Sequence, residues 1–220
     1  GVSFEIYAGQ RVAIVGRSGS GKSTLMKLLL GLYRPTSGVA TVDGFDVTEV
    51  WAPSLRTQVG AVLQEPYLFR GSIRANIAQT IPAVPMSEVV AAAQLVNAHA
   101  FITRLPHGYE TRLEQNGSNL SGGQRQQIAI ARALAQPRRM LILDEATSSL
   151  DTESERIFHQ NLDAQFTDAT IFTITQRLHA IRQADVILVM EQGTLVESGD
   201  HGTLMARRGL YHEMYLQQQP

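Results

Sequence analysis

The sequence predicts an α/β protein: a parallel sheet flanked by helices and interrupted by a helical insertion. Three observations carry that reading. The run Arg11-Val12-Ala13-Ile14-Val15 feeds directly into a glycine-rich loop and then an apolar helix. A second run, Met140-Leu141-Ile142-Leu143, has the unbroken apolar character of a parallel strand covered on both faces. Between the two, residues 87–105 and 121–135 become alanine-rich with helical periodicity.

Taken in order, residues 1–6 read as a strand already under way, as expected of a piece excised from a longer chain. Residues 11–15 form the next strand, 16–21 a loop and 23–32 a helix. Strands are predicted at 39–42 and 59–63, with Asp43-Gly44 as a turn signal between them. Pro82 and Pro85 break the chain just ahead of the helical stretch 87–105, and Pro137 ends the helix over 121–135. After the strand at 140–143 come a polar helix (152–163), a strand (169–175), a short helical segment (178–182) and a strand (186–190). A strand at 193–198 closes a hairpin, and short helices near 202–207 and 210–218 follow.

Composition narrows the function classes. With 44% hydrophobic and 18% charged residues among 220, the chain has ample material for a core, which excludes a wholly disordered protein. Nineteen Lys and Arg against twenty Asp and Glu leave a net charge of −1, which argues against a nucleic-acid partner. The absence of cysteine removes disulfides, thiolate metal sites and a Cys nucleophile together. Apolar runs are far shorter than the roughly 18 residues needed to span a bilayer, and no charged-then-apolar leader opens the chain. The piece is expected to be soluble.

Gly16-Arg17-Ser18-Gly19-Ser20-Gly21-Lys22-Ser23-Thr24 fits the phosphate-loop pattern G-x-x-x-x-G-K-[ST]. Glycines let successive N–H groups face a phosphate, and the helix that follows presents its positive end to it. Lys22 adds a charge for the β- and γ-phosphates, and Ser23 a hydroxyl for Mg²⁺. A glycine-rich turn before an ordinary helix is the plain alternative. The position between a predicted strand and a predicted helix favours nucleotide binding.

Asp144 and Glu145 follow the apolar run at the strand's carboxyl end, the edge where open α/β sheets bind ligands. Asp144 is placed to hold Mg²⁺, and Glu145 to orient or deprotonate an attacking water. Acidic residues also end strands as ordinary helix caps. With a phosphate loop upstream, the pair becomes the second half of one site.

Leu120-Ser121-Gly122-Gly123-Gln124 ahead of a helix makes the whole chain resemble the ATP-binding cassette (ABC) family. The resemblance implies a P-loop NTPase core of RecA-like type with a parallel sheet and an antiparallel β subdomain, at residues 1–66 and 139–220. A helical subdomain at 67–138 would carry the signature motif. It also implies ATP and Mg²⁺ as ligands, with Ser121, Gly122, Gly123 and Gln124 capping the γ-phosphate held by a second copy in a head-to-tail dimer. Gln64, in Leu63-Gln64-Glu65-Pro66, matches the Q-loop that senses Mg²⁺ and water, and Asp151 the D-loop that communicates across the dimer. The segment 68–77 and Glu114-Gln115-Asn116-Gly117 resemble the exporter branch, most closely exporters of peptides, bacteriocins or type I secretion substrates. A fused transmembrane partner and the cytoplasmic face of a (bacterial inner) membrane follow by the same resemblance. Chromosome-maintenance ATPases share the cassette but insert long coiled coils between Q-loop and signature, whereas 57 positions separate Gln64 from Ser121.

Two positions depart from the family pattern. The family's adenine-stacking aromatic lies some 20 or more residues before the phosphate loop, and 15 residues precede Gly16. Tyr7 is expected inside a strand with a structural role. Where the family carries a switch histidine, the chain reads Thr175-Gln176-Arg177-Leu178. Gln176 can donate a hydrogen bond but carries no positive charge. The catalytic set is therefore expected to be Lys22, Glu145 and Gln176, in an exporter ATPase with slowed turnover; the alternative is a regulatory cassette with little hydrolysis. His179 is near Gln176 in sequence, and His99, His107, His159, His201 and His212 show no metal-ligand spacing.

Overall fold

The computed structural model describes residues 1–78 and 84–218, so the expected break at Pro82 lies outside the described residues. Two compact units emerge. The first comprises residues 1–59, 139–145 and 168–220; the second comprises 60–138 and 146–167. Relative to the expected division, residues 60–66 and 146–167 group with the helical unit. The second of these segments contains the helix Thr152–Gln165, whose partners lie there: Asn161 Nδ2 donates to the Leu95 carbonyl at 2.9 Å, and Gln127 Nε2 to the Ser154 hydroxyl at 3.3 Å.

In the first unit the strands lie in the order Thr194–Gly199, Val186–Glu191, Arg11–Val15, Thr170–Ile174, Met140–Asp144. The last four are mutually parallel, and Thr194–Gly199 is antiparallel to its neighbour. Arg11–Val15 sits centrally, so Val12, Ala13, Ile14 and Val15 are all buried. Ile14, Ile142, Phe172 and Leu188 join Leu25, Met26 and Leu29 of the helix Lys22–Leu29 in one core cluster. On the other face Ala13, Val15, Ile187 and Val189 pack with Leu178, Leu204 and Tyr211. Both faces are covered, which is why these strands are apolar without alternation.

Several expectations need correction. Residues 1–6 show strand-like alternation, with Val2, Phe4 and Ile6 packed on the first cluster, but no ladder joins them to another strand among the described residues. Tyr7 lies in a turn closed by Gln10 N–H to the Tyr7 carbonyl, and the residue is 65% exposed, so it is not a packing residue inside a strand. Asp43-Gly44 does not separate distant strands. It is the two-residue tip of a hairpin pairing Thr41–Val42 with Phe45–Asp46, both tip residues having positive φ (51° and 81°). The helix Ala52–Gln58 went unpredicted.

The second unit is built on the helices Met86–Leu95, His99–Ile102, Gly122–Leu134 and Thr152–Gln165, with Ile73–Ile77 and a small antiparallel pair, Gly71–Ser72 and Arg112–Leu113. The helical stretch expected over 87–105 is divided at Asn97, whose φ of 57° cannot continue a right-handed helix. Arg132 ties the segment after Gln64 to the long helix, donating to the Tyr67 and Asn76 carbonyls at 2.9 and 2.8 Å and to Asn76 Oδ1 at 2.9 Å. Burial pulls its guanidinium down to about 10, which leaves it charged at neutral pH.

Candidate functional site

The strand Arg11–Val15 ends at Gly16, and the loop geometry there is dictated by close approach. Gly16 has φ of 149°, and a Cβ on it would stand 2.2 Å from the Met190 carbonyl oxygen. Gly21, at φ 97°, is the N-cap of the helix Lys22–Leu29 and offers no side chain to the helix's leading N–H groups. The first amide to bond back is Leu25, to the Gly21 carbonyl at 3.0 Å, so the N–H groups of Lys22, Ser23 and Thr24 form a donor set at the positive end of the helix. Gly19 faces open space, with nothing within 4 Å of where its Cβ would be, while Ser20 is buried and Arg17 and Ser18 are exposed.

Lys22 is buried among this loop, its ammonium donating to the carbonyls of Gly16 (2.8 Å) and Arg17 (2.9 Å) and to Ser20 Oγ at 3.4 Å. Burial pushes its pKa down, against the opposing pull of Glu145 and Asp144. Asp144 closes the strand Met140–Asp144 and is 4% exposed. Burial raises its carboxyl pKa, a hydrogen bond from Ser23 lowers it, and the neighbouring Glu145 raises it further.

Glu145 leaves the strand with φ of 48°, a left-handed conformation uncommon for a non-glycine residue and frequent at functional sites. Its N–H donates to the Ile174 carbonyl at 2.9 Å, which pins the turn to the adjacent strand. The Glu145 side chain receives the Gln176 carboxamide: Nε2 to Oε1 is 2.8 Å. The first unit thus brings together Lys22, Ser23, Asp144, Glu145 and Gln176. Ser23 and Asp144 are hard oxygen donors of the kind Mg²⁺ takes alongside waters and substrate phosphates. Among the described residues no cluster of three or more His, Cys, Asp or Glu side chains is placed to hold a metal ion.

The second unit holds the remaining predicted residues. Gln64 is exposed in a bend after the strand Val59–Val62. Ser121 is the N-cap of Gly122–Leu134 in a reciprocal capping box: Ser121 Oγ accepts from Gln124 N–H at 3.2 Å, and Gln124 Oε1 accepts from Ser121 N–H at 3.0 Å. The Gln124 side chain therefore shapes its own helix end. The two glycines differ. A Cβ on Gly123 would stand 2.9 Å from the Ser149 carbonyl oxygen, whereas one on Gly122 would meet only the far end of Arg125 at 3.9 Å. Asp151 is likewise engaged locally, capping Thr152–Gln165 by accepting from Ser154 N–H (2.9 Å) and Ser154 Oγ (2.7 Å), which holds its carboxyl below its ordinary value.

Residues 1–148 match the family model described as ABC transporter. The chain belongs to the ABC transporter family. Within it, the chain is 53% identical over 210 residues to the cyclolysin secretion/processing ATP-binding protein CyaB of Bordetella pertussis, covering 96% of this chain and 30% of that one. It is 48% identical to the ATP-dependent lipid A-core flippase of Chromohalobacter salexigens, covering 99% of this chain and 38% of that one. Among solved structures it superposes on a bacterial Atm1-family ABC exporter with ATP bound, with TM-score 0.96 and 44% identity over 100% of this chain and 38% of the other. The ABC domain described here spans about a third of the length of these relatives. No helix among its described residues is long and apolar enough to cross a membrane.

Some residues of this ABC domain were not signalled by its motifs. Beside the signature, an open pocket of about 350 Å³ is lined by Ser121, Gln124 and Asp151 together with Asn97, Phe101 and Arg104. Met190 and Gly193 support the phosphate loop from the hairpin Val186–Gly199, Gly193 N–H donating to the Ser20 carbonyl at 3.1 Å. Only the glycines of the loop itself announce such backbone contacts in sequence.

Proposed function

We propose that this domain binds ATP on the loop Gly16–Thr24 and hydrolyses it to power export through a transmembrane partner. The observation that carries the reading is the convergence of Lys22, the Ser23–Asp144 pair and Glu145 at the carboxyl edge of one parallel sheet. The loop amides and Lys22 bind and orient the β- and γ-phosphates, Ser23 and Asp144 would hold Mg²⁺, and Gln64 is the further ligand that the family resemblance implies. Held there, Mg²⁺ would supply charge neutralisation for the transferring phosphoryl group. Glu145 directs the attacking water at the γ-phosphorus and takes its proton, and the bond to the leaving ADP oxygen breaks as the new bond to oxygen forms. Gln176 supplies a neutral donor. Lacking charge, it leaves turnover slow.

Ser121, Gly122, Gly123 and Gln124 act on the nucleotide held by a second copy, in a head-to-tail dimer with Asp151 at the junction. Two features support this. The long helix presents its amino end at Ser121, and Gly122 leaves open space there. Exposed Leu63, Tyr67 and Phe69, next to Gln64 in sequence, offer apolar surface for the membrane partner. The names of the relatives, a cyclolysin secretion/processing ATP-binding protein and a lipid A-core flippase, support the exporter branch; the cytoplasmic face of a membrane and a secreted polypeptide as the favoured cargo belong to the same reading. The test is light scattering of the full-length protein's nucleotide-binding portion engaged by ATP. Glu145→Gln should hold the two cassettes closed in Mg-ATP and Lys22→Ala should not. Closure that is indifferent to ATP in Glu145→Gln would overturn the sandwich.

A further inference from the structure

The loop that carries Gln176 is clasped by a residue more than forty positions later in the chain. Gln218 Nε2 donates to the Gln176 carbonyl at 2.6 Å, and Gln218 Oε1 accepts from the Leu178 N–H at 2.9 Å. The carboxamide orientation is fixed by chemistry, because a carbonyl can only accept and an amide N–H only donate. One side chain therefore pairs with the backbone on both sides of Arg177, as a neighbouring strand would. We propose that Gln218 is a positioning residue for ATP hydrolysis, holding the main chain of Gln176 so that its carboxamide meets Glu145.

The mounting of Gln218 supports this role. It follows the helix Leu210–Leu216, whose first two amides, Leu210 and Tyr211, donate to the two oxygens of Glu197 at 2.9 and 3.0 Å. Gly209 makes that approach possible, since a Cβ there would fall 1.7 Å from Glu197 Oε1. Tyr211 is fully buried in the cluster that includes Leu178, and its hydroxyl lies 2.8 Å from His201 Nδ1. Helix and switch loop are thus anchored in the same core, and Gln218 spans the exposed gap between them. Leu178 fixes the loop on its far side and Thr175 Oγ1 accepts from Arg177 N–H at 3.0 Å, so the Gln176 carbonyl is the point at which Gln218 acts on the catalytic end.

The inference rests on the reading of Glu145 and Gln176 as the hydrolytic pair. Its test is steady-state ATP hydrolysis and ATP binding by the full-length protein carrying Gln218→Leu, with Gln218→Ala as a second variant and thermal melts of each. Removing two neutral hydrogen bonds, one exposed and one part-buried, should lower kcat by about three- to tenfold, with the KM for ATP unchanged and the melting temperature little altered. In a Gln176→Ala background, Gln218→Leu should have no further effect, because no carboxamide remains to be placed. An unaltered kcat in both Gln218 variants, or the same fractional loss in the Gln176→Ala background, would overturn the proposal while Glu145→Gln is inactive. Hydrolysis retained by Glu145→Gln would instead remove the reading beneath it, and the proposal with it.

Discussion

The Gln176 carboxamide donates to the Glu145 carboxylate at 2.8 Å, so the two residues expected to handle water and γ-phosphate are joined directly. A glutamine there keeps a donor but cannot offset charge that develops during phosphoryl transfer. Gln176→His should therefore raise kcat at least several-fold with little change in ATP affinity, since the added charge acts mainly in the transition state. His179 is exposed on the following turn, and His179→Ala should leave kcat unchanged. Steady-state phosphate release checks both. Unchanged turnover in Gln176→His with a collapse in His179→Ala would assign the switch to His179.

Gly122 and Gly123 should separate stability from function. A methyl at 123 would press on the Ser149 carbonyl at 2.9 Å, an overpacking that typically costs about 1–3 kcal/mol. Gly123→Ala should lower the melting temperature by several degrees, at about 2–4 °C per kcal/mol for a chain of this size. Gly122→Ala meets open space and gains helix propensity, so its melting temperature should hold or rise. Its ATP hydrolysis should nonetheless fall, because the methyl would occupy the face that the proposed head-to-tail dimer offers to the partner's nucleotide. A melting temperature that falls equally in both would remove the distinction.

Asp144 should be a stability liability at neutral pH. Burial raises its carboxyl pKa, so the folded chain holds the proton more tightly than the unfolded chain. Ionising it therefore weakens folding. That loss is absent below the ordinary carboxylate range and complete once the pH exceeds the raised value. Asp144→Asn keeps the shape and removes the charge, so melting temperature at neutral pH should rise while Mg²⁺-dependent hydrolysis is lost. Near pH 3 the gain should vanish. A lower melting temperature at neutral pH would show that the Ser23 bond outweighs burial.

Legibility followed sequence distance. The loop Gly16–Thr24, the pair Asp144 and Glu145, and Ser121–Gln124 stand out in the sequence as motifs because each gathers its residues within a few consecutive positions at an element boundary. The central strands were readable because burial on both faces leaves unbroken apolar runs. What stayed hidden depends on distant partners: Met190 against Gly16, Ser149 against Gly123, and Gln218 on the switch loop, 42 positions from Gln176. Local signals also misled. Residues 1–6 alternate as a strand does yet join no ladder among the described residues, because pairing is decided by the neighbour. The helix Ala52–Gln58 gave little warning, having Trp51 at its cap without a side-chain bond, a proline in its first turn and Leu55 as its only buried residue.

The central claim is that Glu145 drives hydrolysis of an ATP held by Lys22 and the phosphate loop. A single-turnover experiment on the full-length Glu145→Gln protein, following bound ATP and released phosphate together, tests it most directly. Retention of ATP at the parent's affinity, with phosphate release slowed by about 10² or more as expected for loss of a general base, is the predicted result. Phosphate release at the parent's rate would contradict the account.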